Sequence, residues 1–359
     1  MTDPVRLVTH ADVISAAQDA GTFSSRTSRH LHVPNGMDGE EHRAFRAIVD
    51  RQMTRAIVDA MQPMLDATAT EVVDAMHRGA ACDAVIELGE VFAVRAQCRW
   101  LGWPEELETQ LREWMAENYA AARERDPERN AAVAAEFDEI VTRQIDAHRA
   151  ARDAGETSDD ATDRLLEEQV DGRALTQDEL VSILRNWTAG DLGSLARCIG
   201  VVVHRLAQRP RWQHRMRTLA AEISDAAAPQ RAEFDAILGE CLRLDDPFVA
   251  NKRVTTCPVT MPSGMAIDEG EPVLLDWVAA NRDPGVFTDR FDPHENGPHN
   301  IVFGIGPHVC PGRDLSYAEL RAVIGALLRG TSKIALASDP ATRHEPPIGG
   351  WARVPIVLS

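Results

Sequence analysis

The residues with the clearest chemical potential lie between 303 and 312. There FGIGPHVCPG places Cys310 among three glycines and two prolines, two residues after His308. A structural cysteine belongs on an apolar helix or strand face and gains nothing from a backbone stripped of side chains. Gly304, Gly306 and Gly312 instead let the chain come close to a flat ligand. A helical pattern follows (LSYAELRAVIGALL), so amides and the positive end of a helix dipole would favour a thiolate at Cys310. Such a sulfur is a metal ligand or a nucleophile.

The chain around this loop has 359 residues, enough for one large domain or two modest ones. Its formal charge of -18, from 56 acidic and 38 basic side chains, excludes nucleic acid as a partner, because phosphate binding needs a basic footprint. Six cysteines lie far apart without a CxxC pair, which excludes a zinc ribbon or disulfide scaffold and points to a reducing cytoplasm. No signal-peptide pattern opens the chain, and no apolar run approaches bilayer length. The expectation is a cytoplasmic protein with no membrane partner.

From about 40 to 246, apolar spacings of three and four with few Gly or Pro predict a mainly helical body. The polar stretch 154–163 (AGETSDDATD) reads as a solvent-facing link between helices. Thr176 and Glu179 form a capping-box pattern that predicts a long helix through Leu206, ended before Pro210. Residues 247–300 are rich in Pro and Gly around short β-prone pieces such as 253–256 and 273–275. The loop and its helix occupy 301–330, and TSKIALA with WARVPIVL predicts a closing strand pair.

The cysteine loop resembles the haem-binding signature of the cytochrome P-450 family, F-x-x-G-x-[HR]-x-C-x-G. Phe303, Gly306, His308, Cys310 and Gly312 fill every defined position. The resemblance implies that Cys310 is the axial thiolate ligand of haem iron and that Phe303 shields the sulfur. Glu240 and Arg243 fit the family's E-x-x-R pair, although i,i+3 ions on a surface helix would read the same way. AANRDP at 279–284 and then the cysteine loop follow in the family's order.

Upstream, His42 and Arg46 resemble the family's propionate partners one helical turn apart, and Arg253 and His308 fall where two more are expected. The resemblance runs from VRLVTHADVISAAQDAGTFSS to the C-terminus and implies a single domain over 1–359, mainly α with small sheets. The haem would lie between the long helix and the cysteine loop, and the N-terminal part of the fold would be shortened.

Two stretches depart from the family. On the long helix, where most members carry an acid and an alcohol that supply protons for dioxygen cleavage, the positions read Gly193 and Ser194. Asp191 shares a helical face with Ser194, Trp187 and Cys198, so it could serve as a displaced acid beside that alcohol. It could also bind a polar substrate group or face a wet cavity. Gly190 and Gly193 cost helix stability, which predicts a groove for oxygen or substrate, or a packing notch. In FDPHEN (291–296) the family's third triad arginine is Glu295, with Arg290 as a possible replacement.

The implied activity is that of a bacterial-type haem-thiolate monooxygenase that uses O2 to oxidise a small organic substrate in secondary or catabolic metabolism. Its cofactor would be haem b, and its electrons would come from a ferredoxin and ferredoxin reductase, with Arg43 and Arg313 as candidate docking arginines. Trp187, Thr188, Gly190, Phe248 and Val249 are the expected pocket residues. Alternatives are a peroxide-using or O2-independent haem-thiolate enzyme, a non-catalytic haem-binding sensor, or a cysteine hydrolase.

Overall fold

The computed structural model describes residues 3–28, 30–124, 126–222, 228–346 and 348–359. Its helices are α1 (His10–Gln18), α2 (Gly39–Gln52), α3 (Arg55–Ala75), α4 (Val91–Leu101), α5 (Leu107–Glu124), α6 (Pro127–Asp153) and α7 (Ala161–Leu166). They continue as α8 (Gln177–Ala207), α9 (Pro210–Glu222), α10 (Ala228–Leu244), the short α11 (Trp277–Ala280) and α12 (Pro293–Asn296), and α13 (Arg313–Arg329). A π-helical turn (Ala84–Glu90) leads into α4.

The strands are short. A four-stranded sheet joins β1 (Val5–Leu7), β2 (Phe23–Ser24), β6 (Ala250–Thr255) and β9 (Pro272–Asp276) in the order β1-β9-β6-β2, with β1 parallel to β9 and the other pairs antiparallel. Between them lie β3 (Ala81–Asp83), the hairpin β4 (Gln169–Val170) with β5 (Arg173–Ala174), and the hairpin β7 (Val259–Thr260) with β8 (Ala266–Ile267). At the C-terminal end, β10 (Ile334–Leu336) pairs antiparallel with β13 (Pro355–Leu358), and β11 (Thr342–Arg343) with β12 (Trp351–Arg353). The expected closing pair is therefore split: its WAR half bonds to β11, and only PIVL meets β10.

Two helices carry the centre. In α13, Leu315, Leu320, Val323, Ile324, Leu327 and Leu328 are all buried, a helix apolar on nearly every side that packs against α3, α8 and α9. Each such side chain contributes about 1.5–3 kcal/mol of burial. The 31 residues of α8 run about 46 Å through the body. Its start is fixed as the sequence predicts: Thr176 Oγ1 accepts the Glu179 N–H at 3.3 Å, and the Glu179 carboxylate accepts the Thr176 N–H at 2.8 Å. The stretch 154–163 is less exposed than its polarity suggests, because Ala161, Thr162 and Asp163 open α7 and are buried. Thr162 donates to the Leu101 carbonyl at 2.7 Å, which ties this link to the end of α4.

The two glycines of α8 have different causes. A side chain at Gly190 would enter open space at the central cavity, so this glycine widens a groove. At Gly193 an added methyl carbon would stand 2.6 Å from the Tyr119 hydroxyl of α5, so this glycine is a packing notch. Gly193→Ala is expected to lose about 1–3 kcal/mol from overpacking despite alanine's better helix propensity. Adding Tyr119→Phe removes the offending oxygen and should recover most of that loss in urea denaturation; a single variant as stable as wild type would exclude the notch.

Candidate active site

A cavity of about 320 Å³, partly open to solvent, separates α8 from the loop 302–312. Trp187, Gly190, Asp191, Ser194 and Cys198 line it from α8, and Phe303, His308, Cys310 and Gly312 from the loop. The loop is held from outside. Gly304 and Gly306 adopt positive φ, 74° and 79°. A side chain at Gly306 would strike the Ala17 carbonyl oxygen at 2.4 Å, so this glycine serves the approach of α1 rather than of a ligand. Cys310 N–H donates to the Phe303 carbonyl at 2.9 Å, turning the sulfur toward the cavity.

Burial pushes the Cys310 thiol up to about 11, although the Gly312 N–H pulls the other way. The helix start alone therefore does not make a thiolate, and a metal cation would have to stabilise the charge. The hydrolase alternative also lacks its base. His308, the histidine nearest in sequence, sets its Nε2 3.0 Å from Ser25 Oγ and stacks its ring 4.1 Å from that of His42. Burial, His42 and Arg253 hold the His308 imidazole down at about 4.

The four expected propionate partners divide into two pairs. Arg253 and His308 line the cavity. Arg253 is 7 % exposed and, among the described residues, its side chain donates only to the carbonyl of its neighbour Lys252, at 2.7 Å. Burial lowers its pKa, with Asp38 partly offsetting the effect. A buried guanidinium without a carboxylate is the partner that an anionic cofactor edge requires. His42 and Arg46 stand outside the cavity lining. His42 backs His308, and Arg46 donates to the carbonyls of Pro307 and Val309 at 3.0 and 2.7 Å while its Nε bonds Asp50 at 2.7 Å. Arg46 thus clamps the cysteine loop from behind the cavity.

On α8, Asp191 accepts a hydrogen bond from the Gln97 amide of α4. Burial pushes the Asp191 carboxyl up to about 6, against the pull of Gln97. Glu319 of α13 lies within electrostatic reach; it is buried with one carboxyl oxygen unpartnered, and burial and then Asp191 drive its pKa well up. Neither Gln97 nor Glu319 carries a sequence signal, because each is a lone polar residue in a helical pattern. Trp187 lies with its ring 5.3 Å from that of Trp100, another wall residue the sequence leaves unmarked. Thr188 does not line the cavity, since its hydroxyl donates to the Leu184 carbonyl at 2.6 Å. Phe248 does line it, whereas Val249 borders the neighbouring cleft and packs against Gly349.

Glu240 and Arg243 are buried, which removes the surface-pair reading. Arg243 donates to both carboxylate oxygens of Glu240, at 2.7 and 2.9 Å, and to the Asn281 carbonyl at 2.6 Å. The third member is Asn296, whose amide donates to Glu240 at 2.8 Å, joined by the Asp292 N–H at 3.1 Å. Arg290 does not substitute: its side chain is 79 % exposed and faces Glu295 at 3.7 Å. Arg43 and Arg313 are both exposed, beside Glu40 and Asp314.

The residues present fit a haem: the Cys310 sulfur on the cavity wall, a buried cation at its edge with no carboxylate partner among the described residues, and glycine at 312 beside the sulfur. Comparisons agree. The cytochrome P450 family model matches residues 119–341. The chain is 28 % identical to cyclomarin C epoxidase CymV of Salinispora arenicola, over 95 % of this chain and 87 % of that protein. It is 27 % identical to the erythromycin C-12 hydroxylase of Saccharopolyspora erythraea, over 95 % and 88 %. Ligand-free cytochrome P450 TbtJ1 superposes with a TM-score of 0.84 at 26 % identity, covering 99 % of this chain and 91 % of that one. The chain belongs to the cytochrome P450 family. It is a haem-iron monooxygenase that uses O2 on a small organic substrate. Among the described residues no helix is long and apolar enough to cross a membrane.

Proposed function

We propose that the chain, as one domain over 1–359, holds haem b between α8 and the 303–312 loop and works in the cytoplasm with a ferredoxin and ferredoxin reductase as electron donors. The observation that carries this reading is the pairing of Cys310 with the buried, uncompensated Arg253 on one cavity. Bound haem supplies O2 activation at its iron. Cys310 is the iron ligand, Arg253 and His308 take the propionates, and His42 and Arg46 fix His308 and the loop behind them. Arg43 and Arg313 offer exposed positive charge to an acidic donor.

Relatives that epoxidise or hydroxylate secondary metabolites support a substrate of that kind. Dithionite-reduced protein under carbon monoxide should give a Soret band far to the red; an unshifted band would overturn the ligand assignment.

Asp191 and Ser194 carry protons into the cavity in this reading. Asp191, poised at about 6, can both give and regain a proton near neutrality. Asp191→Asn should lower O2-dependent product formation by about 100-fold while peroxide-driven turnover falls much less. The notch at Gly193, where a residue larger than glycine meets Tyr119, favours a second reading in which peroxide is the oxidant. Unchanged O2-dependent turnover in Asp191→Asn would reject the relay, whereas wild-type turnover with peroxide but not with NADH and redox partners would support that second reading.

A further inference from the structure

The cavity wall carries a second acid that the relay does not use. Asp246 lies three residues after Arg243, in the turn between α10 and β6. It is 4 % exposed and borders both the central cavity and the smaller cleft beside it. Its Oδ1 accepts the Phe248 N–H at 2.8 Å. The other oxygen, Oδ2, is buried with no hydrogen-bond partner among the described residues. A buried acid oxygen without a partner costs stability, so its retention suggests that a ligand completes it.

No base nearby forms a salt bridge to Asp246 among the described residues. Asp245 takes Arg205 at 2.8 Å and Arg343 at 2.6 Å, with Arg282 at 3.8 Å. Asp276 takes Arg6 at 2.6 Å. Arg197 of α8 reaches Asp246 only through space, and its guanidinium lies 5.6 Å from the centroid of the Tyr119 ring. Across the cavity, burial raises the Cys198 thiol pKa and the carboxyls of both Asp246 and Asp191 raise it further, so the two acids bear on one region. The cavity-lining bases, Arg253 and His308, belong to the edge that would receive the haem carboxylates. What remains for the substrate is acidic.

We propose that Asp246 is the anchor for a basic nitrogen, and that the enzyme's substrates are lipophilic amines held by an ion pair between an ammonium N–H and the free oxygen of Asp246. This rests on the monooxygenase reading above. Burial drives the Asp246 carboxyl well above the usual carboxylate range, with Asp276 adding to the rise and Phe248 N–H and Arg197 opposing it. Burial thus disfavours the bare carboxylate, and an ammonium docked at the free oxygen would favour it, any proton it displaces passing to solvent.

The test is a matched pair titrated into ferric holoenzyme: N,N-dimethyl-4-phenylbutylamine and its carbon isostere (5-methylhexyl)benzene, followed by the low- to high-spin Soret shift. Wild type should bind the amine at least about tenfold tighter than the hydrocarbon. Asp246→Asn, which keeps an acceptor for the Phe248 N–H, should erase that preference and leave the hydrocarbon's affinity within about twofold. Asp246→Glu should retain it.

Equal binding of the pair, a preference that survives Asp246→Asn, a spectrum of nitrogen on iron, or failure of both probes to bind would each overturn the proposal. If one variant does not fold, the other still tests the anchor, and equal binding of the pair by wild type overturns the proposal without either. A normal carbon monoxide spectrum with no amine preference sinks this proposal alone, whereas an unshifted spectrum in wild type sinks the haem-thiolate reading beneath it.

Discussion

Cys310→Ser is expected to abolish the red-shifted carbon monoxide band and to reduce monooxygenase turnover to below about 1 % of wild type, a barrier increase of about 2.7 kcal/mol or more. The substitution is conservative for the fold. The Cys310 N–H keeps its bond to Phe303, and Gly304 and Gly306 keep their positive φ. What changes is the ligand. A buried thiol held at about 11 becomes a thiolate when a cation binds it, whereas an alcohol is far harder to ionise and is a poorer electron donor. Reduced, carbon monoxide-treated variant protein checks the point in one spectrum; a band like that of wild type would remove Cys310 from the iron.

The second large effect is expected at the buried ion pair. Arg243→Ala should destabilise the protein by about 3–5 kcal/mol, because it leaves the Glu240 carboxylate buried with only Asn296 and the Asp292 N–H as donors. Arg243 also gives up its bond to the Asn281 carbonyl and its stacking over Phe287, 4.6 Å from guanidinium carbon to ring centroid. Replacing both charges, Glu240→Leu with Arg243→Met, should cost less than the sum of the two single changes, since no orphan ion remains. Urea midpoints for the three variants give the comparison, and additive losses would show that the two side chains do not act as a pair.

The sequence made the cysteine loop legible because its chemistry is local: five residues at fixed spacing, a glycine-rich turn and a helix that follows. The long helix was legible for the same reason, through one capping box and an apolar period. Less could be read where partners come from distant segments. Asn296 joins Glu240 across 56 residues, and Gln97 meets Asp191 across 94. Neither side chain has a neighbour in sequence that announces its partner. Arg46 is similar: its bonds to carbonyls of the cysteine loop span more than 260 residues, and its spacing from His42 does not announce them. Gly193 was ambiguous because a groove and a notch leave the same residue type, and only the position of the Tyr119 hydroxyl separates them.

That contact also bears on how the proton path can be redesigned. With the Tyr119 oxygen 2.6 Å from where a side chain would start, an acid at position 193 requires the tyrosine to shift or a smaller residue at 119. Changes at 119 and 193 are therefore coupled through one packing contact, whereas Asp191 and the other groups on the cavity wall can be altered without disturbing it.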